Sequence, residues 1–266
     1  MHPSFYFDPE ILRKEERLFK RRLYAGHEKL LTKSGEWEVL QHTHNRWTLM
    51  KEVDEYFLQS NVCLHRQGLI SEGRGTKRIQ LCRAHCWSYE GGKLKATPNC
   101  EGPIVGELKR LPLKSWRGLL YEGDPIQLNL SEFGVEKYID FSNYEFHSTE
   151  FADYEFNWKT FSEVYLENLH IYAMHPGLRQ FVDPTKLQWN FGEDWSLQRI
   201  GLRDDISQNT SAAYSRMISL LDEKPEFGAI WIYIYPNIMV EWYPKTLAIS
   251  TIFPNGPERC RNRVDI

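Results

Sequence analysis

Four metal-binding side chains, placed as two mixed pairs, constrain this chain more than any other feature. Cys63-Leu64-His65 is followed, sixteen residues on, by Cys82-Arg83-Ala84-His85. Two thiolates and two imidazoles in this order suit a [2Fe–2S] centre in which one iron takes both cysteines and the other both histidines. Exchanging two thiolates for neutral imidazoles makes such a cluster less negative and raises its potential above that of an all-cysteine centre. Tetrahedral zinc accepts the same donors, but zinc-finger spacing usually groups Cys with Cys and His with His. Each loop here supplies one of each.

The surrounding texture is that of a small antiparallel β domain with metal loops at its tip. Between Glu36 and Leu120 short β-rich segments alternate with glycines: Trp47–Met50, Tyr56–Leu58, Arg78–Leu81 and Lys93–Ala96. Glu90-Gly91-Gly92-Lys93 is a turn candidate directly after the second loop. Upstream, Asp8-Pro9-Glu10 reads as a helix start, and Ile11, Leu12, Leu18, Phe19 and Leu23 supply an apolar face. An amphipathic helix is predicted from residue 9 to about 22, with Lys20-Arg21-Arg22 as its solvated end. Residues 121–150 read as a linker into a second domain and 155–175 as helical. Two strands, Ala229–Tyr235 and Leu247–Phe253, flank turns at Pro236-Asn237 and Tyr243-Pro244. Trp231, Tyr233, Tyr235 and Trp242 read as core rather than pocket.

At 266 residues and 41% apolar content the chain can build one large or two modest cores. A net charge of −3 gives no case for nucleic acid or a membrane surface as partner. Met1–Asp8 lacks the basic start and apolar stretch of a signal peptide. The apolar run Gly228–Val240 is interrupted by Pro236 and Asn237 and is too short to span a bilayer. Cys86, Cys100 and Cys260 are left over, an odd set with no secreted-framework pattern. A soluble, reducing, cytoplasmic setting is expected.

Asn61-Val62-Cys63-Leu64-His65-Arg66 and Leu81-Cys82-Arg83-Ala84-His85-Cys86-Trp87-Ser88-Tyr89 resemble the two cluster loops of Rieske proteins, specifically those of ring-hydroxylating oxygenase α subunits. Leu111-Pro112-Leu113-Lys114-Ser115-Trp116-Arg117-Gly118 resembles the strand that closes that domain in the same family. The extra cysteines that form a disulfide in respiratory Rieske proteins are replaced here by Gly68 and Ala84. The resemblance therefore implies a potential at the lower end of the Rieske range, suited to feeding an oxygen-activating iron.

Further on, Glu163, Glu167 and His170 fall on one stripe if residues 157 to 175 form a single helix. His175 would then point away from His170, and both imidazoles reach one ion only if the helix ends between them; Pro176-Gly177 marks such an ending. By themselves two histidines at this spacing are more often structural. Asn157-Trp158-Lys159 with Glu167-x-x-His170-x-x-x-x-His175-Pro176-Gly177-Leu178 resembles the mononuclear-iron segment of Rieske oxygenases. That resemblance implies that His170 and His175 bind non-haem Fe(II) and that a later carboxylate completes the site. It also implies that Glu167 bridges electron transfer between a cluster histidine of a neighbouring subunit and an iron-ligating histidine. Glutamate rather than aspartate at this place leans towards members acting on quaternary amines, while Glu163 reads as a helix or subunit-contact residue.

The sequence also departs from the family. Cys86 stands where glycine usually precedes the tryptophan, and Leu169 replaces an aromatic. Asp265 falls too early for the third iron ligand, and Asp204 and Asp205 lie in a polar loop without matching context. The sequence stops at Ile266, apparently inside a strand and short of the final helix of the family's catalytic domain.

The expected fold is α+β, with a helix at 1–22, a small antiparallel β Rieske domain at 23–120 and a helix-covered antiparallel-sheet catalytic domain at 121–266. The expected function is a Rieske oxygenase α subunit, mono- or dioxygenase, using a [2Fe–2S] cluster and Fe(II). It would hydroxylate or oxidatively demethylate a small organic substrate with O2. A reductase or ferredoxin would supply electrons, and the resemblance implies a homotrimer, with β subunits as a further option. The alternative is a non-catalytic Rieske electron carrier or truncated remnant unable to hold the mononuclear iron.

Overall fold

Between residues 22 and 123 the strands are only two to six residues long, so this stretch forms several small sheets instead of one large one. The computed structural model describes residues 2–76, 78–204, 216, 219 and 224–266. It divides into two units, one of Arg21–Pro125 and one of Met1–Lys20 with Ile126–Ile266. Asp205 lies outside the described residues.

In the first unit a five-stranded antiparallel sheet runs in the order Arg74–Gly75, Trp37–Val39, Trp47–Glu52, Glu55–Ser60, Arg110–Pro112. A second sheet pairs Leu119–Gly123 with Arg22–His27 and Lys114–Trp116. The third joins Ile79–Leu81, Ser88–Glu90 and Lys93–Ala96. The turn between its last two strands places Gly91 at φ 53° and Gly92 at φ 78°. Two successive positive φ values suit a tight hairpin whose twist matches its strands, and glycine takes them without a Cβ penalty. Arg22, expected to be solvated, is 2% exposed. Its guanidinium donates to the carbonyls of Asp124 (3.0 Å) and Pro125 (2.8 Å), fastening the two ends of the unit together. A basic run seen only as sequence hides such a role, because buried arginine needs carbonyl acceptors that lie a hundred residues away.

Among the described residues the second unit holds α1 (Ser4–Phe7), α2 (Pro9–Glu15), α3 (Trp158–Tyr165), α4 (Ile171–Met174) and α5 (Pro176–Arg179), all of them short. Its sheet has seven strands: β1 (Thr149–Tyr154), β2 (Val182–Phe191), β3 (Trp195–Leu202), β4 (Phe227–Ile234), β5 (Ile238–Tyr243), β6 (Thr246–Pro254) and β7 (Cys260–Asp265). The order is β1-β7-β6-β5-β4-β3-β2, antiparallel throughout. The two expected strands correspond to β4 and β6, and the stretch between the two expected turns is itself a strand, β5. The expected N-terminal helix is shorter than predicted, ending at Glu15 and resuming as a single 3-10 turn at Leu18–Lys20.

That N-terminal segment is tied to α3. Glu15 accepts from Trp158 Nε1 at 3.0 Å and from Lys159 Nζ at 2.8 Å, and the Phe19 and Trp158 rings meet edge to face at 5.0 Å. The Tyr6 hydroxyl donates to Glu163 at 2.6 Å, so Glu163 serves a contact within its own chain. Trp231, Tyr233 and Trp242 are buried as expected, while Tyr235 is half-buried. Among the described residues, no helix is long and apolar enough to cross a membrane.

Candidate metal centres

The two donor loops of the first unit share one backbone design. In the first, the amide of Cys63 donates to the carbonyl of Gly68 (2.9 Å) and that of Gln67 donates back to Cys63 (3.0 Å). In the second, Cys82 donates to Trp87 (2.9 Å) and Cys86 to Cys82 (2.9 Å). Both loops turn through a left-handed residue, Gln67 at φ 57° and Cys86 at φ 58°. This explains why glycine is usual where Cys86 stands, since the left-handed region costs an L-residue about 1 kcal/mol. The thiol of Cys86 itself is exposed.

The loops converge. Cys63 and Cys82, each 2% exposed, lie in one apolar cluster with Ile70, Trp87, Tyr89 and Leu108. The imidazoles of His65 and His85 meet at a centroid distance of 4.6 Å, and His65 stacks on Trp87 at 4.7 Å. The two cysteines share one cluster and the two rings meet, the division a two-iron centre requires. His65 Nδ1 is buried without a hydrogen-bond partner. Burial, and then the neighbouring His85 and Arg66, hold its pKa below the ordinary imidazole value. A neutral ring with an orphaned, inward-facing nitrogen is what a metal ligand must offer. The residues therefore fit the cluster. His85 stands at the exposed edge of the pair.

Two supporting residues lay within the quoted motifs without an assigned role. Asn61, 1% exposed, ties three loops with its side chain, donating to the carbonyls of Asn45 and Ser71 and accepting from the Ser71 amide. The Tyr89 hydroxyl lies 3.1 Å from Cys63 Sγ and accepts from the Leu64 amide at 3.0 Å. Burial and the bond to Cys63 push its pKa well above the ordinary phenol value, so it keeps its proton.

The second set of donors lies in the other unit, where the expected single helix does not form. α3 ends at Tyr165, a turn follows, and His170 and His175 cap the two ends of α4. Glu163, Glu167 and His170 therefore do not share one helical stripe. Because α4 is a single turn flanked by breaks, the two rings approach to 5.1 Å at an interplanar angle of 78°. Glu167 Oε1 lies 2.6 Å from His170 Nδ1. Its carboxylate also accepts from the amides of Leu169 and His170. Desolvation pushes Glu167 upward, but the bonds from His170 and the two amides outweigh it and hold the carboxyl below the usual range. A carboxylate on Nδ1 fixes the tautomer so that Nε2 is the free donor. The His175 imidazole, exposed at one edge, is lowered by partial desolvation and then by His170 beside it. The pair thus fits a divalent ion through two imidazoles.

The other acids considered for this ion are engaged elsewhere. Asp265 is 4% exposed, pairs with Arg263 at 3.0 Å and accepts from Thr149 at 2.6 Å. Asp204 is exposed and pairs with Lys186 at 2.9 Å. Leu169, in the place of the expected aromatic, is 79% exposed.

Fold and donors together define a chain that joins an iron–sulfur loop pair to a helix-covered sheet bearing a histidine pair. The model of the Rieske [2Fe-2S] domain matches residues 22–116, and that of the ring hydroxylating alpha subunit (catalytic domain) matches 141–266. Putrescine 2-hydroxylase of Ralstonia nicotianae is 39% identical over 98% of this chain and 74% of its own length. The Bordetella bronchiseptica protein of the same name is 35% identical, and the chain spans 66% of it. The chloroplastic choline monooxygenase of Beta vulgaris is 25% identical over 97% of this chain and 64% of its own length. Among solved structures, the quaternary ammonium Rieske monooxygenase CntA superposes with a TM-score of 0.75 at 18% identity, covering 99% of this chain and 74% of that one. Naphthalene 1,2-dioxygenase from Rhodococcus sp. gives 0.73 at 17% identity, covering 98% and 71%. The chain belongs to the Rieske non-haem iron oxygenases, with the domain pair of their α subunits. The cofactors of that domain pair are a [2Fe–2S] cluster and mononuclear non-haem iron.

Proposed function

We propose that this chain is the oxygenase subunit of a system that hydroxylates a small aliphatic amine. Cys63, His65, Cys82 and His85 hold the cluster, and His170 and His175 hold ferrous iron. When bound, these groups supply electron storage and O2 activation. The protein's own part is to orient and connect. Trp87 and Tyr89 seat the cluster loops, and Glu167 fixes the His170 ring. Glu167 also offers a carboxylate to His85 of the neighbouring subunit in a head-to-tail homotrimer. A reductase or ferredoxin delivers electrons to the cluster, and His85 passes them on to Glu167 across the subunit boundary. The CntA structures come with a description of inter-subunit electron transfer in that protein.

The observation that carries the reading is the 2.6 Å contact of Glu167 with His170, beside a second ring 5.1 Å away. It gives a two-histidine site an oriented donor and an acidic link in one residue. The amine substrate rests on the 39% identity with putrescine 2-hydroxylase, and a diamine is therefore tried first. The second reading, an electron carrier without mononuclear iron, is favoured by one fact. Among the described residues, no carboxylate joins His170 and His175 as a third ligand.

Metal analysis with product analysis tests both. Three irons and two acid-labile sulfides per chain, with a hydroxylated product from 1,4-diaminobutane in the presence of reductant, support the oxygenase. Two irons and no product support the carrier, and zinc in place of iron removes both.

A further inference from the structure

Among the described residues, the Glu241 carboxylate in the catalytic sheet has no cation paired with it. Glu241 lies on β5, directly opposite Trp231 on β4, which in turn lies opposite Gln198 on β3. Residues opposite one another in an antiparallel pair share a face, so Gln198, Trp231 and Glu241 form one level across three strands. The face is settled by its packing. Trp231 and Tyr243 pack with Ile171 and Tyr165, so this side is roofed by the segment that carries His170 and His175.

The polar groups at this level are half-satisfied. Glu241 accepts one hydrogen bond, from the Tyr243 hydroxyl at 3.0 Å, and Tyr243 accepts from Trp231 Nε1 at 2.9 Å. Among the described residues, no lysine, arginine or histidine pairs with it. The Tyr165 hydroxyl and Gln198 Oε1 are buried with no partner at all. Gln198 spends its amide nitrogen on the carbonyl of Tyr165 at 3.1 Å, which leaves that oxygen free. Burial raises the Tyr165 phenol, and the charge of Glu241 adds to that rise. Burial likewise lifts Glu241 to a pKa of about 6.

An ionised carboxylate among aromatic rings is costly unless a cation meets it. Buried polar atoms without partners demand an explanation of their own. The groups left over are chiefly acceptors: carboxylate oxygens, an amide oxygen and the lone pairs of a phenol whose O–H is the one donor among them. Their complement is a cation with several N–H donors, and the rings of Trp231 and Tyr243 add faces that favour positive charge. A quaternary ammonium satisfies the charge but none of the lone pairs.

We infer that Glu241, with Tyr165 and Gln198, receives a protonated primary amine of the substrate and selects it over N-methylated cations. This rests on the amine-hydroxylase reading above and adds the residues that recognise the headgroup. Tyr243, held by Trp231, is a positioning residue that aims the carboxylate.

Binding to the full-length, iron-loaded protein provides the test, by calorimetry with 1,4-diaminobutane, 1-aminobutane and butyltrimethylammonium. The parent should prefer both primary amines to the quaternary one. Glu241→Gln should weaken the primary amines at least about tenfold, the scale of a lost hydrogen bond to a charge, and erase the preference. Tyr165→Phe, which removes no existing bond, keeps the test independent of folding and should weaken them by a smaller factor. Parent-like diamine affinity in a folded Glu241→Gln variant would overturn the inference and leave the amine-hydroxylase reading standing. A parent that binds no amine would overturn both.

Discussion

Cys63 and Cys82 sit 2% exposed inside an apolar cluster, each clamped by a reciprocal pair of backbone hydrogen bonds. His170 and His175 instead flank a single helical turn, with His175 open to solvent and neighbours such as Leu169 and Met174 79% and 71% exposed. One centre is shaped by backbone and core before any metal arrives. The other depends on one carboxylate, Glu167, to set its geometry. The contrast matches the two tasks. A cluster that stores an electron gains from a rigid, dry seat, whereas an iron that must admit O2 and substrate needs open positions and groups left unpaired for a ligand.

The largest effect expected from this difference is on the rigid side. Cys82→Ser removes a thiolate from a buried pair that cannot be replaced from solvent. It should abolish the cluster's visible absorption and lower the melting temperature, because polar oxygen then occupies an apolar site. Retention of the spectrum at full intensity would break the assignment of the loops.

Next in size is Glu167→Gln. The amide keeps the volume but cannot act as the anionic partner of His170 Nδ1. Turnover is expected to fall about 10- to 100-fold, with the cluster spectrum unchanged. A variant that turns over normally would show that the open centre does not depend on this residue.

The contrast also explains what the sequence reveals. The cluster loops are legible because their donors, turns and supporting residues are contiguous: Asn61 to Gly68 and Leu81 to Tyr89 each carry a complete backbone device. The catalytic donors are legible only as a pair of histidines. What brings them together is the break after Tyr165, and periodicity reads straight through it because Glu163, Glu167 and His170 would suit an unbroken helix equally well. The strand pairing that puts Gln198, Trp231 and Glu241 on one level joins residues up to 43 positions apart. No local pattern encodes it. The available signal was a lone acid within the apolar run Ile238–Tyr243.

Within the rigid centre the comparison is sharpened by Tyr89→Phe. With Cys63 as thiolate, only the tyrosine has a proton for their 3.1 Å contact. That bond stabilises the reduced, more negative cluster, so its loss should lower the midpoint potential by about 40 mV, the one-electron equivalent of ~1 kcal/mol. Electrochemical titration decides it, and an unchanged potential would mean that the hydroxyl serves only the Leu64 amide.

The last effect comes from the open side and has the opposite sign to a typical mutation. Glu241 has a folded pKa of about 6 against an ordinary value of 4.5. The folded chain therefore keeps a proton that the unfolded chain has already released. Stability linked to this group is full below about pH 4.5 and is lost as pH rises through about 6. Glu241→Gln removes the dependence. Without ligand, it should be more stable than the parent at pH 8 by about 2 kcal/mol, or roughly 4–8 °C, with the gain shrinking to nothing below pH 4.5. Adding 1,4-diaminobutane should narrow the gap by stabilising only the parent. A destabilised variant at pH 8 would mean that Glu241 is a settled part of the core, and the contrast between a finished centre and a waiting one would lose its clearest case.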